Sequence, residues 1–452
     1  MSNKLRPPGP APGAMFRLLP TAFRNQAEFL LQLAHSCGEL TYLNLGVRSV
    51  CIVNSPEIAG AILDKDQDNF SNWISRFMTT VGFMRGRGIL ATEYEGHAYR
   101  RSLVAPTFMP EHVQRFGGII TDYGVRIRDG WSEGRIFDIE AEMGRLSLLI
   151  SVRLLFGLDM ESEAPELRSI LARFMTHYKA STLPRLMFQN ILGLLPFGNA
   201  HGLKRAKDDL ERYIQSEIET RKNDVRKRHD VLASMMSAKD GQGREGAMSE
   251  GQLIDECVSM LLAGHDPMAK ALTWTWYLLS QNTDCELRMH SEIDSVLKGR
   301  TPLVSDIENL NFTYDVFKEA MRLYPPIWIM ARQAIEEYNI GEYTIPAGCM
   351  VLVSPYIIHR NPAIYSNATV FRPDRWSPEE AGSRPEYSYI PFGGGRRVCT
   401  GEPLSWIQGV LLLAVTAQKW KIRTVEGYPV RLKPYISLGT KDGIKITVKE
   451  RA

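Results

Sequence analysis

The chain has 452 residues, of which 44% are hydrophobic and 23% charged, a balance that supports a large buried core and excludes a disordered polypeptide. Lys+Arg 54 against Asp+Glu 51 leaves +3, too even for a protein whose affinity rests on neutralising nucleic-acid phosphates. The six cysteines share no C-x-x-C spacing, so neither a disulfide framework nor a zinc knuckle is indicated, and a reducing compartment is expected.

Residues 1–20 hold Arg6, Pro7, Pro8, Pro10 and Pro12 and no uninterrupted apolar run. They read as a proline-rich arm, neither a signal peptide nor a membrane span, and a soluble, cytoplasmic protein without a transmembrane anchor is expected. From 39 to 54, β-favouring residues flank Gly46-Val47-Arg48-Ser49, which predicts a hairpin. Helical periodicity predicts helices over Pro56–Asp66, Ser147–Phe156, Leu203–Lys222, Ser249–Asn282, Glu286–Lys298, Tyr314–Leu323 and Pro403–Trp420. Two further β-rich patches lie at Tyr343–Val353 and Lys445–Val448. The expected architecture is mostly α with small β-sheets, residues 21–452 forming a single large domain. Lys239–Gly246 reads as a surface loop between helices.

The longest helical segment opens on Ser249-Glu250-Gly251-Gln252, a capping-box pattern. Val258 to Ala263 is apolar on nearly every side, as in a helix buried through the middle of a protein. Gly264 and Pro267 then follow. Proline at 267 has no N–H for the Ala263 carbonyl and crowds it, so the helix is expected to be interrupted and to bend there.

The segment richest in chemistry is Pro391-Phe392-Gly393-Gly394-Gly395-Arg396-Arg397-Val398-Cys399-Thr400-Gly401, ahead of a helix with Pro403 in its first turn. Glycines let the backbone approach a flat ligand closely. Cys399 stands just before a helix N-terminus, where amide N–H groups and the macrodipole favour a negative sulfur, and a thiolate is a ligand for a soft or borderline metal. By itself a cysteine in such a turn is equally a small buried hydrophobe.

Phe392, Gly395, Arg397, Cys399 and Gly401 fulfil the pattern F-x-x-G-x-R-x-C-x-G, and the segment resembles the heme-binding loop of the cytochrome P450 superfamily. The resemblance covers most of the chain from about residue 40 onward. It implies the cytochrome P450 fold, heme b with Cys399 as axial thiolate ligand, and oxidation of a small organic substrate with dioxygen and electrons from a separate ferredoxin and reductase. Glu319-Ala320-Met321-Arg322 and, further on, Arg375 match a structural triad of the family. His97 and Arg101, with Arg332 and Arg397, match positions that contact the heme propionates. Phe392 lines the cysteine loop, while Ala263 and Gly264 match the helix over the heme. Gly86 to Leu90 and His359-Arg360-Asn361-Pro362 extend the match. By analogy, the region from Trp73 to Met84, with Phe77, Met78 and Phe83, and also Ile329 and Leu183 to Phe197, faces the substrate.

The chain departs from the family at one place. Members usually carry an acid followed by a threonine on the central helix, and here Asp266 keeps the acid while Pro267 replaces the alcohol. The proton that the missing hydroxyl would deliver must come from water, from Asp266 through water, or from the substrate. Three chemistries therefore stay open: monooxygenation, which is ranked first; radical coupling of phenolic or pyrrolic rings without oxygen insertion; and peroxide-driven oxidation, where Asp266 would repel a fatty-acid carboxylate. A different class, a heme-binding sensor without turnover, is the further alternative. Arg396, Arg397 and Arg100 are expected to offer a local positive face to an acidic ferredoxin, and the enzyme to be a monomer making a specialised metabolite.

Overall fold

The computed structural model describes residues 5–10, 13, 17, 20–22, 24–46, 48–73, 75, 88–191, 200–224, 228–239, 243 and 246–451, without the side chains of 179–191, 200 and 201. In chain order the elements are α1 (Gln26–Cys37), the hairpin β1 (Leu40–Asn44) and β2 (Ser49–Val53), α2 (Pro56–Gly60) running into a π-helical turn over Ala61–Lys65, and β3 (Phe70–Asn72). Then come α3 (Tyr94–Val104), α4 (Gly117–Asp129), β4 (Ile136–Asp138), α5 (Ile139–Phe156), α6 (Pro165–Ile191), α7 (Ala200–Lys222) and the long α8 (Glu250–Gln281). The last part carries α9 (Thr283–Leu297), α10 (Asn311–Leu323), β5 (Met330–Ala334), β6 (Tyr338–Ile340), β7 (Tyr343–Ile345) and β8 (Met350–Val353). It ends with α11 (Glu402–Ala417), β9 (Trp420–Thr424), β10 (Leu432–Pro434), β11 (Leu438–Thr440) and β12 (Lys445–Glu450).

These elements sort into two compact units. Unit 1 comprises residues 1–73, 113–147 and 266–452, and unit 2 comprises 74–112 and 148–265. The division falls inside α5 and inside α8. Unit 1 holds all the strands found among the described residues, with a sheet in the order β1-β2-β8-β5-β3, a sheet β4-β12-β9, and the pairs β6-β7 and β10-β11. The predicted hairpin forms with Leu40 opposite Val53 and Asn44 opposite Ser49. Gly46 turns it at φ 79°, its amide donating to Asn44 Oδ1 at 3.0 Å. Leu40, Val53, Ile62, Phe70, Ile345, Val351, Val353 and Ile390 close over one face of the larger sheet as a core cluster.

Seven short or medium strands escape the periodicity reading, β3, β4, β5, β6, β9, β10 and β11, and several helices begin earlier than expected. Among the latter, α5 begins at Ile139 and α10 at Asn311. The capping box at Ser249 forms in one direction, the Ser249 amide donating to Gln252 Oε1 at 2.7 Å. The expected interruption of α8 does not occur, because the helix runs unbroken through Gly264 and Pro267 to Gln281. An internal proline costs about 3 kcal/mol, and the turns after it, from Met268 to Trp276, are buried throughout. Burying Leu272 and Trp274, each about 1.5–3 kcal/mol or more, offsets that loss.

The C-terminal helix of the cysteine loop is held from behind. Gln408 to Ala417 of α11 are buried, and a Cβ at Gly409 would lie 2.2 Å from the Phe317 ring of α10. That position therefore admits only hydrogen, and the close approach fixes α11, with the loop preceding it, to α10.

Candidate active site

Unit 1 builds the cysteine loop on a buried charge cluster. Glu319 and Arg322, one turn apart on α10, pair at 2.7 and 2.8 Å, and Arg375 Nε donates to Glu319 Oε1 at 2.8 Å. All three are fully buried. The remaining valences are met: the Arg372 amide and the Trp376 indole donate to Glu319 at 3.0 and 3.1 Å. Arg322 also donates to the carbonyls of His359 and Ala368 at 2.7 and 2.6 Å. Buried ions persist only when satisfied in this way.

The cluster reaches the loop through His359. The Ile390 amide donates to His359 Nε2 at 2.8 Å, so Nδ1 carries the hydrogen and donates to the Arg322 carbonyl at 3.1 Å. Burial, then the nearby Arg322 charge, pushes this imidazole well below its ordinary range, which keeps it neutral and in that tautomer. His359 is a functional-site residue that the motif places in sequence without revealing its task.

From Ile390 the chain turns tightly. Gly393 and Gly395 adopt φ 81° and 62°, and a Cβ on Gly395 would meet the Leu63 carbonyl oxygen at 2.0 Å. Only glycine combines that conformation with that approach. The Cys399 amide donates to the Phe392 carbonyl at 3.0 Å. Phe392 is half-buried with its ring 5.5 Å from Trp406, which stacks on Tyr314 at 4.7 Å. Gly401 caps α11, so Cys399 lies two residues ahead of the cap, its side chain exposed, within reach of the positive end of the helix dipole.

Arg396 is exposed and pairs with Asp68 at 2.7 Å. Its charge is shared with a carboxylate that arrives from a segment 328 residues away. Arg332, on β5, is buried, and Arg397 is half-buried in a single helical turn over Gly395–Arg397. In unit 2, α3 carries His97, which is buried, and Arg101, one turn on and half-buried. Ile329 is half-buried and packs on the core cluster that includes Trp328 and Ile357. Phe77, Met78, Phe83 and most of Trp73–Met84, with Gly86 and Arg87, lie outside the described residues, as do the side chains of Leu183–Phe197.

On α8, Ala263 and Gly264 are exposed and Met260 and Pro267 half-buried, whereas Leu261, Leu262, His265 and Met268 are buried. Spacings of three, four and seven residues place Met260, Ala263, Gly264 and Pro267 on one stripe of the helix. Asp266 is half-buried, accepts a hydrogen bond from Ser437 Oγ, and lies 3.8 Å from Lys270 Nζ. Ser437 carried no signal in the sequence, since its partner is 171 residues distant.

Residues 7–443 match the family model for cytochrome P450. The chain belongs to the cytochrome P450 family. It is 33% identical to cyclooctatin synthase of Streptomyces melanosporofaciens over 442 residues, covering 95% of this chain and 92% of that one. It is 29% identical to cyclooctat-9-en-7-ol 5-monooxygenase of the same organism, covering 93% and 90%. Pentalenene oxygenase of Streptomyces avermitilis is 26% identical, covering 86% and 85%. The fold is that of the cytochrome P450DA heme domain, with a TM-score of 0.87, 21% identity and coverage of 99% and 98%. It is also that of the retinoic acid bound cyanobacterial CYP120A1, with a TM-score of 0.84, 20% identity and coverage of 100% of both chains.

The chain is therefore a heme-dependent oxidoreductase of the monooxygenase class, with a cysteine thiolate as axial ligand. Its own residues fit the group. An exposed thiol stands at a helix N-terminus, and a Cβ on Gly401 would come within 3.8 Å of its sulfur. Among the described residues, no helix is long and apolar enough to cross a membrane.

Proposed function

We propose that this enzyme inserts oxygen into an unsaturated cyclic hydrocarbon or alcohol of specialised metabolism, in the cytoplasm, with electrons from a separate ferredoxin and reductase. In this reading residues 21–452 form the heme domain and 1–20 its N-terminal arm. When bound, the heme supplies dioxygen activation. Cys399 would hold it from the loop, and the positive end of the α11 dipole would keep the sulfur ionised. Arg332 and Arg397, in unit 1, would hold its propionates by charge-assisted hydrogen bonds, and His97 and Arg101, in unit 2, carry side chains of the same chemistry. Ala263 and Gly264, small and exposed on α8, would leave room for a flat group, Asp266 would pass protons beside Pro267, and Ile329 would face an apolar substrate.

The observation that carries this reading is the exposed Cys399, pinned by a glycine-built loop just ahead of α11. The names of two relatives, a monooxygenase and an oxygenase, favour insertion over ring coupling. Ring coupling remains the second reading, favoured by Pro267, which brings no hydroxyl. Turnover of pentalenene with a surrogate ferredoxin and reductase under labelled dioxygen tests the two. Label in the product supports insertion; coupled phenolic or pyrrolic dimers without label, from a parallel panel, support the second reading.

A further inference from the structure

A polar chain confined to unit 1 ends on Asp266. Glu140, at the start of α5, accepts from the Thr440 amide at 3.1 Å and from the Thr440 hydroxyl, and it pairs with Lys270. Lys270 stands one helical turn from Asp266, Nζ 3.8 Å from Oδ1. The other carboxylate oxygen, Oδ2, accepts from Ser437. Ser437 is 3% exposed and sits between β10 and β11.

That turn is anchored on both sides. Trp274 Nε1 donates to the Leu438 carbonyl at 2.7 Å, Trp328 Nε1 to the Tyr435 carbonyl at 2.8 Å, and the Leu438 amide to Pro326 at 2.9 Å. Two tryptophans thus hold a buried hydroxyl against the carboxylate that adjoins Pro267, a residue offering neither a hydroxyl nor an amide hydrogen.

We propose that Ser437 is a proton-relay residue for the oxygenation, its hydroxyl doing from a distant hairpin what no side chain at position 267 can do. The proposal rests on the function given above. Asp266, a carboxylate that accepts from Ser437 at rest, takes up a proton and passes it to Ser437 Oγ while Ser437 releases its own hydrogen beside Pro267. The proton comes from water at the Asp266 side chain, which is 30% exposed, so both groups end as they began. Lys270 is the clamp. Burial pulls its ammonium down, but Asp266 and then Glu140, with Asp138 behind them, outweigh that and hold it above its ordinary value, so it stays charged and orients Asp266.

The test compares wild type, Ser437→Ala and Ser437→Thr as holoenzymes, with carbon monoxide as probe. The expected results in Ser437→Ala are a shifted C–O stretch in the reduced carbon monoxide complex and an altered solvent deuterium effect on NADPH oxidation. Hydrogen peroxide released per NADPH should rise by about tenfold, below the ~100-fold low end of what a positioned acid contributes because water still reaches Asp266. Ser437→Thr, which keeps the hydroxyl, should restore all three. Identical readings in Ser437→Ala and wild type would overturn the proposal alone, and so would Ser437→Thr behaving as Ser437→Ala. A wild-type protein lacking the thiolate-type spectrum would overturn the underlying function as well.

Discussion

Glu319 holds two guanidinium groups in a fully buried site, so its removal leaves two uncompensated charges. Glu319→Ala should lose about 3–5 kcal/mol, read as a lower urea midpoint, and a midpoint within experimental error of wild type would refute the structural role. Pro267→Thr should raise product formed per NADPH if oxygen insertion is the reaction, because a hydroxyl then stands on α8 itself. Equal coupling in both proteins would count against insertion. At this scale the sequence is informative wherever chemistry is written at short spacing. Glu319 and Arg322 are three apart, and Phe392 to Gly401 is a contiguous pattern. Partners brought together by the fold are invisible to it: Ser437 for Asp266, Asp68 for Arg396, and the Ile390 amide for His359.

Two elements govern the site, the glycine loop and α8. Gly395→Ala would force a left-handed residue into a backbone carbonyl and should cost at least about 2 kcal/mol, seen as heme loss and a lower unfolding midpoint. Normal heme content at wild-type stability would contradict the close approach to Leu63. On α8, burial drives the Glu256 carboxyl up to about 7, against the pull of the Ile89 amide and Arg100. A raised folded-state value favours the neutral form, so the stability it contributes is complete below the ordinary 4.5 and falls as pH rises toward 7. Wild type should therefore lose urea resistance between pH 5 and pH 8, and Glu256→Gln should lose less; parallel curves would contradict this. Long amphipathic helices such as α7 and α9 are legible because their period repeats several times. Three-residue strands such as β3, β4 and β10 carry no measurable period and are set by their partners. Pro267 misleads for a related reason, since local helix-breaking chemistry yields to the burial of the turns that follow it.

Across the whole molecule, the even charge balance and large apolar fraction foretell a folded helical body, while the two compact units come from long-range packing that no local pattern records. A ligand that binds only the folded chain stabilises it by mass action. Extracting the heme should accordingly lower the thermal unfolding midpoint, and hemin should restore it; an unchanged midpoint would argue against a buried cofactor. The most direct measurement is the reduced carbon monoxide difference spectrum of wild type and Cys399→Ala. The account predicts the thiolate-type Soret shift in wild type and its complete loss in the variant. A band that survives the substitution, or a wild-type chain that stays colourless with hemin, would contradict it.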